Sequence, residues 1–181
     1  MNDLWKVVWR EECPPRYYFV NNTCTELIHC SGDNADCKLT CGSAGETSCV
    51  LEGSLVIDGS VTDEITLEGD ITVTENVYLV GDVKLVFSKG AKLNVGKCLV
   101  LEGNSGLAVQ VDSSDSQFDT TVLATYDGVC SSTVIESRTD IRTTLDECGE
   151  VYPTVQQHSS GGRAQLTLLF VFNADGDDAC N

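Results

Sequence analysis

Long apolar runs and basic residues are both scarce in this chain of 181 residues. The longest apolar stretch, Leu166 to Phe172, is far shorter than the roughly 20 residues that a membrane-spanning helix needs. The chain carries 11 Lys and Arg against 28 Asp and Glu, a formal net charge of −17. Such a charge repels the phosphates of nucleic acids and the anionic surface of membranes. We therefore expect no membrane span and no nucleic-acid partner.

Histidine is nearly absent as well, with two residues in the chain. His29 stands beside Cys30 and His158 lies in a polar Ser/Gly segment, so neither belongs to a recognisable Ser-His-acid arrangement. The G-x-S-x-G motif of serine hydrolases is missing from the sequence. The sequence therefore predicts no catalytic residues and a protein that is not an enzyme.

Cysteine, in contrast, is abundant, with ten residues. No C-x2-C pair exists, and the closest pair, Cys37 and Cys41, lacks the matching second pair of a structural zinc site. Disulfides are therefore predicted, and they indicate an oxidising compartment, extracellular or at the cell surface. The spacing leaves the pairing open among Cys13, Cys24, Cys30, Cys37, Cys41, Cys49, Cys98, Cys130, Cys148 and Cys180.

Residues 1–12 form an N-terminal arm in which charged residues surround four apolar ones. We predict that this cluster mediates assembly by docking on a neighbouring copy, or that it packs on its own domain; it comprises Trp5, Val7, Val8 and Trp9. The arm lacks the apolar core of a secretion signal, so the chain is expected to be a mature form or to lack its leader.

Residues 13–51 predict a small disulfide-rich module, because they are dense in Cys, Gly, Asn, Asp and Ser and show no apolar period long enough for a helix or a central strand. Asn21 begins an N-x-S/T sequon in a polar loop between two cysteines and is a candidate glycosylation site.

Residues 52–181 show short alternating runs separated by glycines, which predicts strands without intervening helices. An antiparallel sandwich would favour Asn-Gly or Asp-Gly turns, and Asp58-Gly59 is the one such dipeptide between Ser54 and Asp112. The sequence therefore favours a short right-handed parallel β-solenoid (β-helix), with roughly 20 residues per coil. The predicted runs are 55–57, 65–67, 71–73, 77–79, 83–85, 91–95, 99–101 and 107–111.

The inward and outward positions of these runs follow from their alternation. Inward positions are predicted for Ile65, Leu67, Ile71, Val73, Val77, Leu79, Val83 and Leu85, and outward positions for Thr66, Thr72, Tyr78 and Lys84. The solenoid end needs a cap, for which we predict strands at 121–126 and 132–137 and a hairpin of 151–157 and 163–172. Cysteines 98, 130, 148 and 180 are predicted to tie coil to cap.

No cofactor is expected, and calcium is the one metal that the sequence leaves open. Two short oxygen-rich loops resemble those that hard cations use, although neither matches an EF-hand. Their carboxylates are Asp33 and Asp36 in the first loop and Asp175, Asp177 and Asp178 in the second. A solvated, disulfide-tied tail is the alternative interpretation of the second loop.

Two pieces of the chain resemble known proteins. The segment from Cys13-Pro14-Pro15 to Thr23-Cys24 resembles the C-P-x-G unit of furin-like, growth-factor-receptor-type cysteine-rich repeats, with Arg16 in place of the usual glycine. Residues 53–112, with the cysteine-containing tail, resemble the glycine-punctuated β-solenoid regions of large cysteine-rich surface proteins of unicellular eukaryotes. The resemblance implies an extracellular structural or adhesive role without a particular ligand.

Together these features predict a non-enzymatic extracellular structural protein, a subunit of a surface layer, appendage or filament that assembles with copies of itself. The alternative is a secreted or surface adhesin that binds glycans or a receptor. A carbohydrate-active β-helix enzyme is the third hypothesis, although the nearest acids, Asp63, Glu64 and Asp70, fall at predicted corners and indicate a solvated acidic rim.

Overall fold

A computed structural model describes residues 17–20, 23–31, 36–41, 47–60, 62–112, 120–128, 135–144 and 151–172. These ranges are nearly all β-structure, and the single helix within them is the 3-10 helix Glu136–Arg138. The same ranges contain no helix that is long and apolar enough to cross a membrane. The predicted all-β fold is confirmed.

The strands are short and follow one another closely. The first six are β1 (Tyr17–Val20), β2 (Thr23–Glu26), β3 (Ile28–Ser31), β4 (Asp36–Leu39), β5 (Ser48–Leu51) and β6 (Leu55–Asp58). The next six are β7 (Glu64–Leu67), β8 (Asp70–Val73), β9 (Val77–Val80), β10 (Lys84–Phe87), β11 (Lys92–Val95) and β12 (Leu99–Leu101). The last are β13 (Gly106–Val111), β14 (Thr121–Asp127), β15 (Thr139–Thr143), β16 (Val151–Ser160) and β17 (Arg163–Phe172).

The strands after the β1–β2 hairpin form three sheets. The first has the order β15-β13-β10-β7-β4-β3, the second β16-β17-β14-β11-β8-β5 and the third β12-β9-β6. From β4 to β11, each strand pairs in parallel with the strand three places later in the chain. This order is consistent with the predicted three-sided solenoid. We call three successive strands, one from each sheet, a coil.

Hydrogen bonds between equivalent corners show the length of the repeat. The backbone N–H of Asn76 donates to Ser54 Oγ, and that of Cys98 donates to Asn76 Oδ1, in both cases across 22 residues. The third-sheet strands follow the same spacing, since Leu55 pairs with Val77 and Val77 with Leu99. The observed repeat is close to the predicted length of about 20 residues.

The core lies between the three sheets and is built from the inward positions of each strand. All eight residues predicted to point inward are at most 1% exposed, and the four predicted outward residues are partly exposed. Each buried aliphatic side chain contributes on the order of 1.5–3 kcal/mol, so the stacked rows stabilise the fold by the hydrophobic effect. The predicted alternation is confirmed in this region.

The first coil begins inside the cysteine-rich segment. Strand β4 pairs in parallel with β7, and β5 pairs in parallel with β8. The expectation that this segment holds no central strand is wrong for β4, which lies between β3 and β7. Its alternation is a single period, buried Cys37 and Leu39 around exposed Lys38, and polar neighbours conceal so short a pattern.

Disulfides hold the first coil and the strand that precedes it, and the predicted disulfide-rich character is confirmed. Cys30 on β3 is bonded to Cys37 on β4, and Cys41 is bonded to Cys49 on β5. Cys24 and Cys98 are also disulfide-bonded. Cys13, Cys130, Cys148 and Cys180 lie outside the described residues.

The C-terminal part ends the parallel stacking with a hairpin. Strands β16 and β17 are antiparallel and are joined at Gly161 and Gly162, whose φ angles of 62° and 81° suit glycine. Strand β17 also pairs antiparallel with β14, so it lies between β14 and β16 in the second sheet. Of the strand predicted over 132–137, residues 132–134 lie outside the described residues, and the prediction is wrong for Glu136 and Ser137, which belong to the 3-10 helix.

Candidate functional site

Most of the site residues predicted from sequence lie outside the described part of the chain. These are Trp5, Val7, Val8, Trp9, Asn21, Asp33, Asp175, Asp177 and Asp178. Asp36 is the first residue of β4. No group of three or more His, Cys, Asp or Glu side chains that could hold a metal occurs among the described residues. The two ends of the stack and one of its corners are the remaining candidates.

An arginine bonds carbonyls at the corner that follows β11 in the second sheet. Arg163 donates through Nη2 to the Val95 carbonyl at 2.7 Å and through Nη1 to the Gly96 carbonyl at 3.1 Å. One coil earlier, the equivalent carbonyl of Val73 accepts from the backbone N–H of Gly96 at 2.7 Å. Strand β14 pairs in parallel with β11 at Leu93 and Asn94 alone, so the guanidinium replaces the backbone donor that a longer ladder would supply to Val95.

A second arginine closes the third sheet, whose last strand is β12. Arg138 donates to the carbonyls of Leu101 at 2.9 Å and Gly103 at 2.5 Å. One coil earlier, the Leu79 carbonyl accepts from the backbone N–H of Glu102 at 2.9 Å. We call the surface formed by these two guanidinium groups the arginine-capped end.

The outer edge of β16 is also closed to further strands. The backbone N–H of Gln157 points away from β17 and donates to Glu136 Oε2 at 3.0 Å, while Gln157 Oε1 accepts from the Ile135 N–H at 3.0 Å. Pro153, four residues earlier, faces the same edge and has no N–H to offer. Both features oppose pairing with another chain at this edge.

The other end of the stack, at β5 and β6, presents edge strands with exposed apolar side chains. Among the described strands, β5 pairs with β8 alone and β6 with β9 alone, so both are edge strands of the first coil. They carry Val50 and Val56, whose exposed fractions are 54% and 51%. Strand β1 approaches β5 to within 8 Å between Cα atoms, but no ladder joins the two. We call this surface the first-coil end.

The outer face of the first sheet carries a charged network. Arg142 on β15 forms a bidentate pair with Glu64 on β7, at 2.8 and 2.7 Å, and Lys84 contacts Asp140. The Arg142 guanidinium lowers the pKa of the Glu64 carboxyl, and the carboxylate raises the pKa of Arg142.

The Glu64–Arg142 pair spans two strands, because β10 and β13 lie between β7 and β15. Val86 and Ala108 occupy outward positions on these two strands, yet they are 3% and 0% exposed. We attribute their burial to the stems of the long charged side chains that cross this face.

A depression of about 470 Å³ lies where the third sheet turns into the first. We call it the corner groove; it is lined by Gly59, Asp63, Glu64, Asp82, Lys84, Asn104 and Arg142. The sequence predicted a solvated acidic rim near Asp63 and did not indicate the groove. The signal available in the sequence was the recurrence of a polar residue at successive corners, Asp82 and Asn104, 22 positions apart.

No protein-family model, no curated protein and no solved structure shows significant similarity to this chain. The fold and its surfaces define the class instead: an all-β, disulfide-bonded protein with stacked parallel sheets, one arginine-capped end and one end with exposed apolar edge strands.

Proposed function

We propose that this chain is a non-enzymatic extracellular structural protein, a self-assembling building block of a cell-surface layer, appendage or filament. The observation that carries the proposal is the exposure of Val50 and Val56 on the two edge strands of the first-coil end. Exposed edge strands with apolar side chains favour the addition of another chain. The partner that we propose is a second copy of this protein.

Disulfides support the extracellular setting of the proposal. Two of them, Cys30–Cys37 and Cys41–Cys49, fix strands of the first coil, and both would be at risk of reduction in the cytosol. Because the contact surface lies on this coil, reducing conditions should weaken assembly together with the fold of the first-coil end.

The negative charge sets the conditions for self-association. Copies that each carry a net charge of −17 repel one another. At 0.1 M ionic strength, salt screens this repulsion between charges more than about 10 Å apart. We expect association to strengthen as salt rises, as measured by sedimentation velocity from low to moderate ionic strength. Dissociation by salt would instead indicate an interface held by ion pairs.

Electron microscopy of native, non-reduced protein with a sizing column in parallel tests assembly directly. Regular filaments, sheets or discrete oligomers are expected, whereas a clean monomer of 19.5 kDa at high concentration would overturn the proposal. The double variant Val50→Lys, Val56→Lys should abolish assembly. The control double variant Thr72→Lys, Tyr78→Lys introduces the same two charges in the same outward rows, one coil away, and should leave assembly intact.

A secreted or surface adhesin that binds glycans is the alternative function. The corner groove is the observation that favours it, since it presents polar side chains across several coils. An adhesin acting as a monomer would bind its glycan whether or not the first-coil end is altered. The Val50→Lys, Val56→Lys variant therefore separates the two functions when both assembly and glycan binding are measured.

A further inference from the structure

We propose that the corner groove is a binding site for a short linear oligosaccharide, with amino sugars favoured. This inference does not depend on self-assembly, because no groove residue belongs to β5 or β6. The volume of about 470 Å³ falls within the range of small-molecule sites.

The shape of the groove suits an extended ligand. Gly59, Asp82 and Asn104 come from the corners that follow β6, β9 and β12, in three successive coils. Because neighbouring strands are about 4.8 Å apart, these corners extend over about 10 Å. A ligand with a regular repeat can therefore contact equivalent positions in consecutive coils.

The charges of the groove select the class of ligand. Both basic side chains are already engaged, Arg142 by Glu64 and Lys84 by Asp140. The side chains of Asp63, Asp82 and Asn104 make no hydrogen bond or ion pair with any other described residue. The uncompensated charge is thus negative, which disfavours phosphates, sulfates and uronic acids.

The hydrogen-bonding groups of the groove match those of a sugar. Carboxylates accept only, whereas the Asn104 amide both donates and accepts. Sugar hydroxyls have both capacities, and the ammonium group of an amino sugar adds a positive charge that two free carboxylates attract. No large apolar side chain lines the groove, so an apolar ligand gains little there.

The test is calorimetric titration of the intact, disulfide-bonded protein with three trisaccharides, those of glucosamine, N-acetylglucosamine and galacturonic acid. We expect the glucosamine trimer to bind most tightly, the acetylated trimer more weakly, and the galacturonic acid trimer not at all. Spermidine serves as a cation that lacks sugar hydroxyls. Binding of spermidine as tight as that of the glucosamine trimer, or binding of no sugar, would overturn the proposal.

Two variants connect binding to the groove. Asp82→Asn and Asn104→Ala should each lower the affinity for the glucosamine trimer about tenfold. This is the effect of losing one charge-assisted or well-placed hydrogen bond. Both side chains are exposed and unbonded within the described structure, so thermal unfolding should be unchanged. Glu52→Gln removes one exposed acid at another corner and is the matched control. Equal affinities for all three variants would place the binding elsewhere and refute the assignment.

Discussion

The guanidinium of Arg163 donates to the carbonyl of Val95 at 2.7 Å, although the two residues are 68 positions apart in the chain. In the coil before, a backbone N–H makes the equivalent bond to Val73. Strand β14 pairs with β11 at Leu93 and Asn94 alone, so a side chain from the C-terminal hairpin completes a hydrogen bond that a longer ladder would otherwise make. Arg138 bonds the carbonyl of Leu101 on β12, the edge strand of the third sheet, so neither carbonyl is left unsatisfied.

The Arg163 contact predicts a measurable loss of stability. Arg163→Met keeps much of the aliphatic stem and removes both donors, and we expect about 1.5–3 kcal/mol of destabilisation, the cost of hydrogen bonds to a charged group. Arg163→Lys keeps the charge but not the paired donors. Its free energy of unfolding should lie between those of the wild type and the methionine variant. Urea unfolding with an unchanged m-value measures the effect. Wild-type stability of the methionine variant would show that water satisfies these carbonyls equally well.

Tyr126 makes a second prediction, because its buried hydroxyl has no hydrogen-bond partner in the described structure. The side chain is 0% exposed and lies in the core. Removing an unsatisfied buried hydroxyl removes its desolvation penalty, so Tyr126→Phe should be neutral or stabilising by up to about 1 kcal/mol. Thermal unfolding tests this. A clear loss of stability would show that the hydroxyl has a partner.

The same residue predicts an alkaline limit to stability. Burial, with a smaller contribution from Glu136, raises the pKa of Tyr126 to about 12 from an ordinary value of 10.0. The folded state therefore resists ionisation of Tyr126. The contribution of the neutral hydroxyl to the free energy of unfolding is present below pH 10 and is lost as the pH rises towards 12. The loss for two pKa units is about 3 kcal/mol. Comparing the wild type with Tyr126→Phe between pH 9 and 11 isolates it, since the phenylalanine variant lacks this titration. Parallel curves for the two proteins would contradict the prediction.

At acid pH the pair of Glu64 and Arg142 should matter. The pKa of Glu64 is lowered in the folded state, mainly by hydrogen bonding to Arg142. Its contribution is therefore present above the ordinary pKa of 4.5 and lost as the pH falls through the lowered value. Both side chains are more than a third exposed, at 41% and 46%, so we expect about 1 kcal/mol or less. Glu64→Gln should reduce this part of the acid dependence in urea titrations. An unchanged acid limb would show that solvent screens the pair completely.

Close approach of backbones at one corner predicts an intolerant glycine. A Cβ placed on Gly96 would lie 2.1 Å from the Thr74 carbonyl oxygen of the preceding coil. This clash involves backbone atoms, which cannot easily move apart. Gly96→Ala should therefore cost more than about 2 kcal/mol. Gly90→Ala is the control, because Gly90 has a φ of +77° but open space around it, and it should cost about 1 kcal/mol. Circular dichroism melts rank the two, and an equal or reversed order would contradict the prediction.

Much of the regular fold could be predicted from short patterns. Alternation at positions such as Ile71 and Val73, with glycine at the corners, indicates strands of period two whatever their partners. The predictions were wrong or missing where the alternating pattern is very short, or where contacts with distant residues determine the local conformation. Strand β4 shows a single period, and Glu136 joins a 3-10 helix whose carboxylate serves β16.

The candidate sites depended even more on distant contacts. Alternation between buried Leu55 and Ile57 places Val56 outward, but nothing local to Val50 or Val56 predicts that their strands lie at the edge of the stack. The corner groove joins residues from the first coil to β15, and its negative character follows from the pairing of Arg142 and Lys84 with acids elsewhere on the sheet.

The sequence by itself therefore determined the strand periodicity, the inward rows of the core, the disulfide-rich character and the strongly negative charge. These properties depend on residues one to four positions apart or on composition. Tertiary structure alone decided which carbonyls Arg138 and Arg163 close, which strands lie at an edge and which charges meet in the groove. The reason is physical: such contacts join residues tens of positions apart, and stacking, rather than local conformational preference, brings them together.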